Sequence, residues 1–126
     1  HREWLGALSL ENNEICNVQW TTSHVEEFSL NSPVFDLQLV LSIFHWIIPQ
    51  TPDAADKMMG LLLASAQTTI LEMPAKYEGP SDQRNYYGER EEPEELIAAA
   101  LKTRNMNAEV TLLGQTPSTI ARCMVG

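Results

Sequence analysis

The run FDLQLVLSIFHWI, residues 35–47, constrains this chain more than any other stretch. Leu37, Leu39, Val40 and Leu41 follow one another with little polar interruption. A half-buried strand alternates, whereas a short, nearly continuous apolar run reads as a strand covered on both faces, the habit of parallel sheets. The end of the run, Ser42-Ile43-Phe44-His45-Trp46, then acquires a second meaning. Ligands of open α/β sheets bind beyond the carboxyl ends of the strands, so these residues stand where a site is expected.

The other segments supply partners for that strand. Trp4, Leu5 and Leu8 recur at helical spacing within residues 2–11, and NNE follows as a breaker. ICNVQWTT predicts a strand over about 16–22, and the polar SHVEEFSLNSP after it a loop or a single helical turn. Beyond Pro49 and Pro52, Thr51 or Asp53 caps a helix through AADKMMGLLLASA, with Met58, Leu61, Leu62 and Ser65 on one face. TTILEMP is a second buried strand, halted by Pro74.

AKYEGPSDQRNYYGEREEP, with Gly79, Pro80 and Gly88 among charges, reads as the longest irregular segment, and long loops are usually functional or mobile. Pro93 then opens EELIAAALKTRN, a helix with acids first and bases last, as its dipole favours. AEVTLLGQT and TIARCMVG are strands so closely connected around Pro117 that they form an antiparallel hairpin. Strands alternating with helices predict an α/β fold, a largely parallel sheet flanked by helices, with the terminal hairpin adding an antiparallel strand.

Size and charge limit the rest. A chain of 126 residues, 44% hydrophobic and 20% charged, can bury one core, and residues 1–126 read as a single domain. The net charge of -9 argues against direct nucleic-acid binding by a basic surface. Cys16 and Cys123 have neither metal-knuckle spacing nor the count of a disulfide framework, so reduced thiols and a cytoplasmic location are expected. No apolar run approaches the roughly 20 residues that span a bilayer, and no membrane partner is expected. Neither a zinc-ligand spacing, a Gly-x-Ser-x-Gly elbow nor a phosphate loop occurs, so no metal site, hydrolase or nucleotidase is read.

The order of elements resembles the carboxyl-terminal two-thirds of class I S-adenosylmethionine-dependent methyltransferases. FDLQLVLSIFHWI resembles that family's fourth-strand motif, with Phe35, Asp36, Leu37, Leu39, Leu41, Ser42, His45 and Ile47 in register. NVQWTTSHVEEFSL resembles the third strand and the acidic turn after it, TTILEMP the fifth strand, and EVTLLGQTPSTIARCMVG the closing hairpin. The resemblance implies a Rossmann-like sheet. Two features of the family are missing here. No pair of the six glycines is close enough to form its Gly-rich cofactor turn, and the acid for the ribose hydroxyls has no counterpart. The strands that carry the cofactor turn are therefore expected upstream of His1. His24 stands where the family commonly has an Asp facing the adenine amino group, and an imidazole accepts that bond in only one tautomer.

On this resemblance S-adenosylmethionine is the implied cofactor of the intact parent. Ser23, His24 and Val25 would lie beside its adenine, and Leu41 and Ser42 near its methionine, their carbonyls accepting from the ammonium. Methyl transfer from a sulfonium needs mainly alignment, and a base only where the acceptor loses a proton. His45 is the candidate base, or a histidine packed between Phe44 and Trp46. Ser42 is a site residue or a strand-end cap. Trp46 is a pocket wall or packing, and Tyr86 and Tyr87 are substrate-loop residues or the anchor of a long loop. The methyl acceptor and the oligomeric state are not encoded legibly. Two rivals remain: a non-catalytic module of the same architecture, and a doubly wound binding domain unrelated to methyl transfer.

Overall fold

In the computed structural model the described residues are 21–25, 27–28, 34–115 and 120–126. The expected helix over 2–11 and all but the last two residues of the expected strand over 16–22 lie outside them. Thr21 and Thr22 are described and are not in a strand.

The elements run β1 (Phe35–Leu41), α1 (Phe44–Ile47), α2 (Pro52–Ala64), β2 (Ala66–Pro74), α3 (Ser81–Tyr87), α4 (Pro93–Thr103), β3 (Val110–Gln115) and β4 (Ile120–Val125). They build one four-stranded sheet in the order β1-β2-β4-β3. β1 and β2 pair in parallel, with Leu39 beside Ile70 and Leu41 beside Glu72. β4 returns antiparallel to β2 and is itself paired antiparallel with β3. Only one of the three pairings is parallel, so the sheet is mixed rather than largely parallel. The hairpin is the reason: its second strand inserts beside β2, which makes both of its contacts antiparallel.

Local chemistry accounts for the helices. Thr51 Oγ1 accepts from Ala54 N at 3.4 Å, and Pro52 stands at the first turn, where its missing N–H costs nothing. In α4, Glu92 and Glu95 form a capping box around Pro93, and Asn105, at φ 53°, takes the left-handed conformation just past the end. α2 presents Ala55, Met58, Met59, Leu62 and Leu63 to the core, and α4 presents Leu96, Ile97, Ala100 and Leu101. Both meet Val40, Leu71, Met73, Cys123 and Val125, which share one face of the sheet. Each such aliphatic side chain contributes about 1.5–3 kcal/mol on burial.

β1 departs from expectation on its other face. Leu37, Leu39 and Leu41 are 55%, 58% and 46% exposed, so the strand is covered on one face only among the described residues. A leucine run marks what a strand can bury, not what it does bury.

Candidate functional site

At the carboxyl end of β1 the chain makes an abrupt turn. Ser42 has φ 51°, the left-handed region that costs a residue with a Cβ about 1–2 kcal/mol. It is held there by Glu72 of β2: Ser42 N donates to Glu72 O at 3.2 Å, and Ser42 Oγ donates to Glu72 Oε1. Glu72 Oε2 in turn accepts from Arg122 of β4, from Nε at 2.9 Å and from Nη2. These hydrogen bonds, Ser42 first and Arg122 second, hold the Glu72 carboxyl below its ordinary value.

The single turn of α1 follows. Phe44 is fully buried and tilts against Tyr86 at a ring separation of 6.4 Å. His45 is 7% exposed, its ring lies 5.1 Å from that of Trp46, and its Nδ1 has no hydrogen-bond partner among the described residues. Burial lowers the His45 pKa, against the opposing pull of the Glu72 charge, so the imidazole is neutral at pH 7. Desolvation makes the neutral ring a weaker base than an exposed imidazole. Trp46 is 73% exposed.

A groove of about 550 Å³ runs along the edge of β1 that no described strand pairs with. Ser23, Val25 and Phe28 line it together with Leu37, Leu39, Ile43 and Ile47. Ser23 Oγ donates to the carbonyl of His24, which also receives Phe28 N at 3.0 Å. Val25 packs against the core and His24 is exposed. The structure thus brings Ser23 and Val25 to the same edge as Ile43 and Ile47, which flank His45. Leu41, Ser42, His45 and Trp46 cluster at the strand end but do not line the groove itself.

Tyr86 and Tyr87 require a correction of position. They lie in α3, not in an irregular loop, and both are buried. Tyr87 Oη donates to Pro74 O at 2.9 Å and Tyr86 Oη to Asp56 Oδ1 at 3.1 Å. Desolvation raises the pKa of both phenols, so they remain protonated donors. Gln83, also fully buried, donates to Pro74 O and Ala75 O and ties α3 to the end of β2.

Sequence reasoning passed over Glu72 and Arg122. The signal was present as one acid in TTILEMP and one base in TIARCMVG, opposite charges inside two apolar strands. Among the described residues no group of three or more His, Cys, Asp or Glu side chains could hold a metal ion, and no helix is long and apolar enough to cross a membrane. Cys123 is a free, buried thiol, its pKa pushed up to about 11 by desolvation.

No known family profile and no curated protein sequence matches this chain. Solved structures do. A 2.2 Å crystal structure of WbdD superimposes with a TM-score of 0.71 at 21% identity, over 98% of this chain and 28% of that one. Monomeric WbdD gives 0.69 at 23% identity, over 95% and 27%. A further WbdD structure, described as that of a bifunctional kinase-methyltransferase, gives 0.71 at 21% identity. This chain therefore spans little more than a quarter of the proteins it resembles. The likeness is one of fold, and the mixed α/β sheet with its flanking helices is consistent with a Rossmann-like fold.

Proposed function

We propose that this chain is the carboxyl-terminal part of a class I methyltransferase domain whose parent moves a methyl group from S-adenosylmethionine to an oxygen, nitrogen or carbon nucleophile. The observation that carries the reading is the end of β1, where the left-handed Ser42 turn, the neutral buried His45 and the groove lined by Ser23 and Val25 converge on one sheet edge. The fold likeness to a kinase-methyltransferase supports it.

The groove residues suit part of the cofactor. Val25, Phe28 and Ile43 offer an apolar wall for adenine, and the Leu41 and Ser42 carbonyls stand at the strand end where an ammonium would be received. S-adenosylmethionine supplies an electrophilic methyl on a positively charged sulfur. His45, beside the exposed Trp46, is the candidate base for an acceptor that must lose a proton. No Gly-rich turn occurs in these 126 residues, so the other half of the cofactor site belongs to a different segment. The absence of that turn also favours a second reading, a non-catalytic module that keeps the architecture.

Calorimetry with S-adenosylhomocysteine tests the proposal. Residues 1–126 should bind it weakly or not at all, and the longest natural chain containing them should bind at micromolar concentration. Micromolar binding by residues 1–126 would show that the register is wrong. A longer chain that does not bind would leave the non-catalytic module.

A further inference from the structure

The left-handed turn at the end of β1 lacks a local cause. Among the described residues only Ser42 and Asn105 combine a side chain with a positive φ, and asparagine tolerates that conformation where serine does not. Ser42 is therefore held from outside, and its hydrogen bonds name the holder. Glu72 engages it twice, through its backbone carbonyl and through Oε1. Glu72 is itself fixed by Arg122, its register partner across β4. Its side chain is only 12% exposed, and a carboxylate so covered is an expensive choice for one sheet position unless its partners require it. Three residues beyond Ser42 stands His45, with a buried nitrogen that has no hydrogen-bond partner among the described residues.

We propose that Glu72 is a positioning residue for His45: anchored by Arg122, it locks Ser42 in the left-handed turn and so sets where the imidazole is held. What His45 does there rests on the methyl-transfer reading, but how it is held does not. The Glu72 charge also acts on the ring, so the test is read at a pH where the imidazole is neutral in every variant.

The test is a rescue. Glycine adopts a φ near +50° unaided, so Ser42→Gly should make the lock dispensable. With isotope-labelled histidine and His45 assigned through His45→Gln, Glu72→Ala should displace the His45 imidazole resonances, and Ser42→Gly/Glu72→Ala should return them to the positions found in Ser42→Gly. Turnover of the full-length protein with S-adenosylmethionine should fall about 10²-fold in Glu72→Ala, the scale of a slightly misplaced group, and recover in the double variant. An ion pair that merely stabilised the sheet would not be rescued by glycine, and that result overturns the proposal. So do unmoved His45 resonances in folded Glu72→Ala. Should Glu72→Ala not fold, Ser42→Ala removes the hydroxyl and leaves the Glu72–Arg122 pair intact. The resonances must move there too, and if they stay the proposal is lost. A wild-type protein that ignores S-adenosylmethionine while Glu72→Ala still displaces His45 would end the methyl-transfer reading and leave the positioning role standing.

Discussion

Arg104 lies across Gly60. Its Nη2 reaches Asp56 Oδ2 at 2.7 Å and the Asp56 carbonyl at 2.5 Å, and Nη1 reaches Ala100 O at 3.2 Å, so the side chain clips α4 onto α2. A Cβ on Gly60 would stand among Nε, Cζ and Cδ of that arginine. Two effects compete in Gly60→Ala. Alanine gains about 1 kcal/mol inside a helix, whereas expelling the arginine forfeits bonds to charged and carbonyl oxygens worth about 1–3 kcal/mol together, discounted for partial exposure. Gly60→Ala should destabilise by about 1 kcal/mol in the wild type and stabilise by about 1 kcal/mol in an Arg104→Ala background. Denaturant midpoints for the four proteins check this, and the same sign in both backgrounds would refute the clip.

The two tyrosines of α3 should differ. Tyr87→Phe removes a fully buried donor from Pro74 O and should cost about 1–2 kcal/mol. Tyr86→Phe removes a donor from Asp56, which keeps its arginine, and should cost less. Equal losses in urea titrations would show that burial, not the hydrogen bond, sets the cost.

The misreading of that helix has a physical origin. SDQRNYY carries no apolar period of its own, because its anchors are two phenols and a glutamine whose polar ends bond to Asp56, Pro74 and Ala75. Only its punctuation was legible: Pro80 before it, Asp82 in the first turn and Gly88 after it at φ 60°. Where periodicity and caps agree, as in α2 and α4, the helices were legible, although in α2 Met59 and Leu63 rather than Leu61 are buried. β1 shows the limit of the method, since the leucine run predicted a strand correctly but not whether both its faces are covered. Glu72 and Arg122 were visible as isolated charges, yet their partnership depends on a strand register that the chain reveals only when folded.

That register can be tested by a neighbouring pair. Leu39 points to the open face and Val40 into the core beside Leu71. Leu39→Thr should change stability by no more than about 0.5 kcal/mol, as exposed substitutions do. Val40→Thr buries a hydroxyl where nothing apolar can receive it and should cost about 1–3 kcal/mol. A larger loss from Leu39→Thr would mean that the leucine face is covered in solution.

Acidification should destabilise the protein in two stages. The folded pKa of His45 is lowered, chiefly by burial, so below the unfolded value of about 6.5 the unfolded chain binds a proton that the native state refuses, and stability falls until the folded pKa is reached. The folded pKa of Glu72 is lowered by Ser42 and Arg122. Its contribution is present above the unfolded value of about 4.3 and is lost as pH drops through the folded one. His45→Gln should flatten the first stage and Glu72→Gln the second. A His45→Gln protein with an unchanged slope just below about pH 6.5 would show that the ring is not desolvated in solution.

His45→Ala separates chemistry from packing. If His45 accepts the proton of the methyl acceptor, the variant of the full-length protein should lose about 10²- to 10⁴-fold in turnover and keep its affinity for S-adenosylhomocysteine, because the groove is lined by other residues. If the ring only packs beside Trp46, its removal should cost roughly 1–3 kcal/mol of stability and leave activity per folded molecule intact. The unpaired nitrogen makes the two outcomes unequal in expectation. A histidine kept for packing alone could be replaced by an apolar ring without a buried polar atom to satisfy, so His45→Phe should preserve or raise stability while abolishing turnover. A His45→Phe protein that is fully active would remove His45 from the chemistry, whatever its stability.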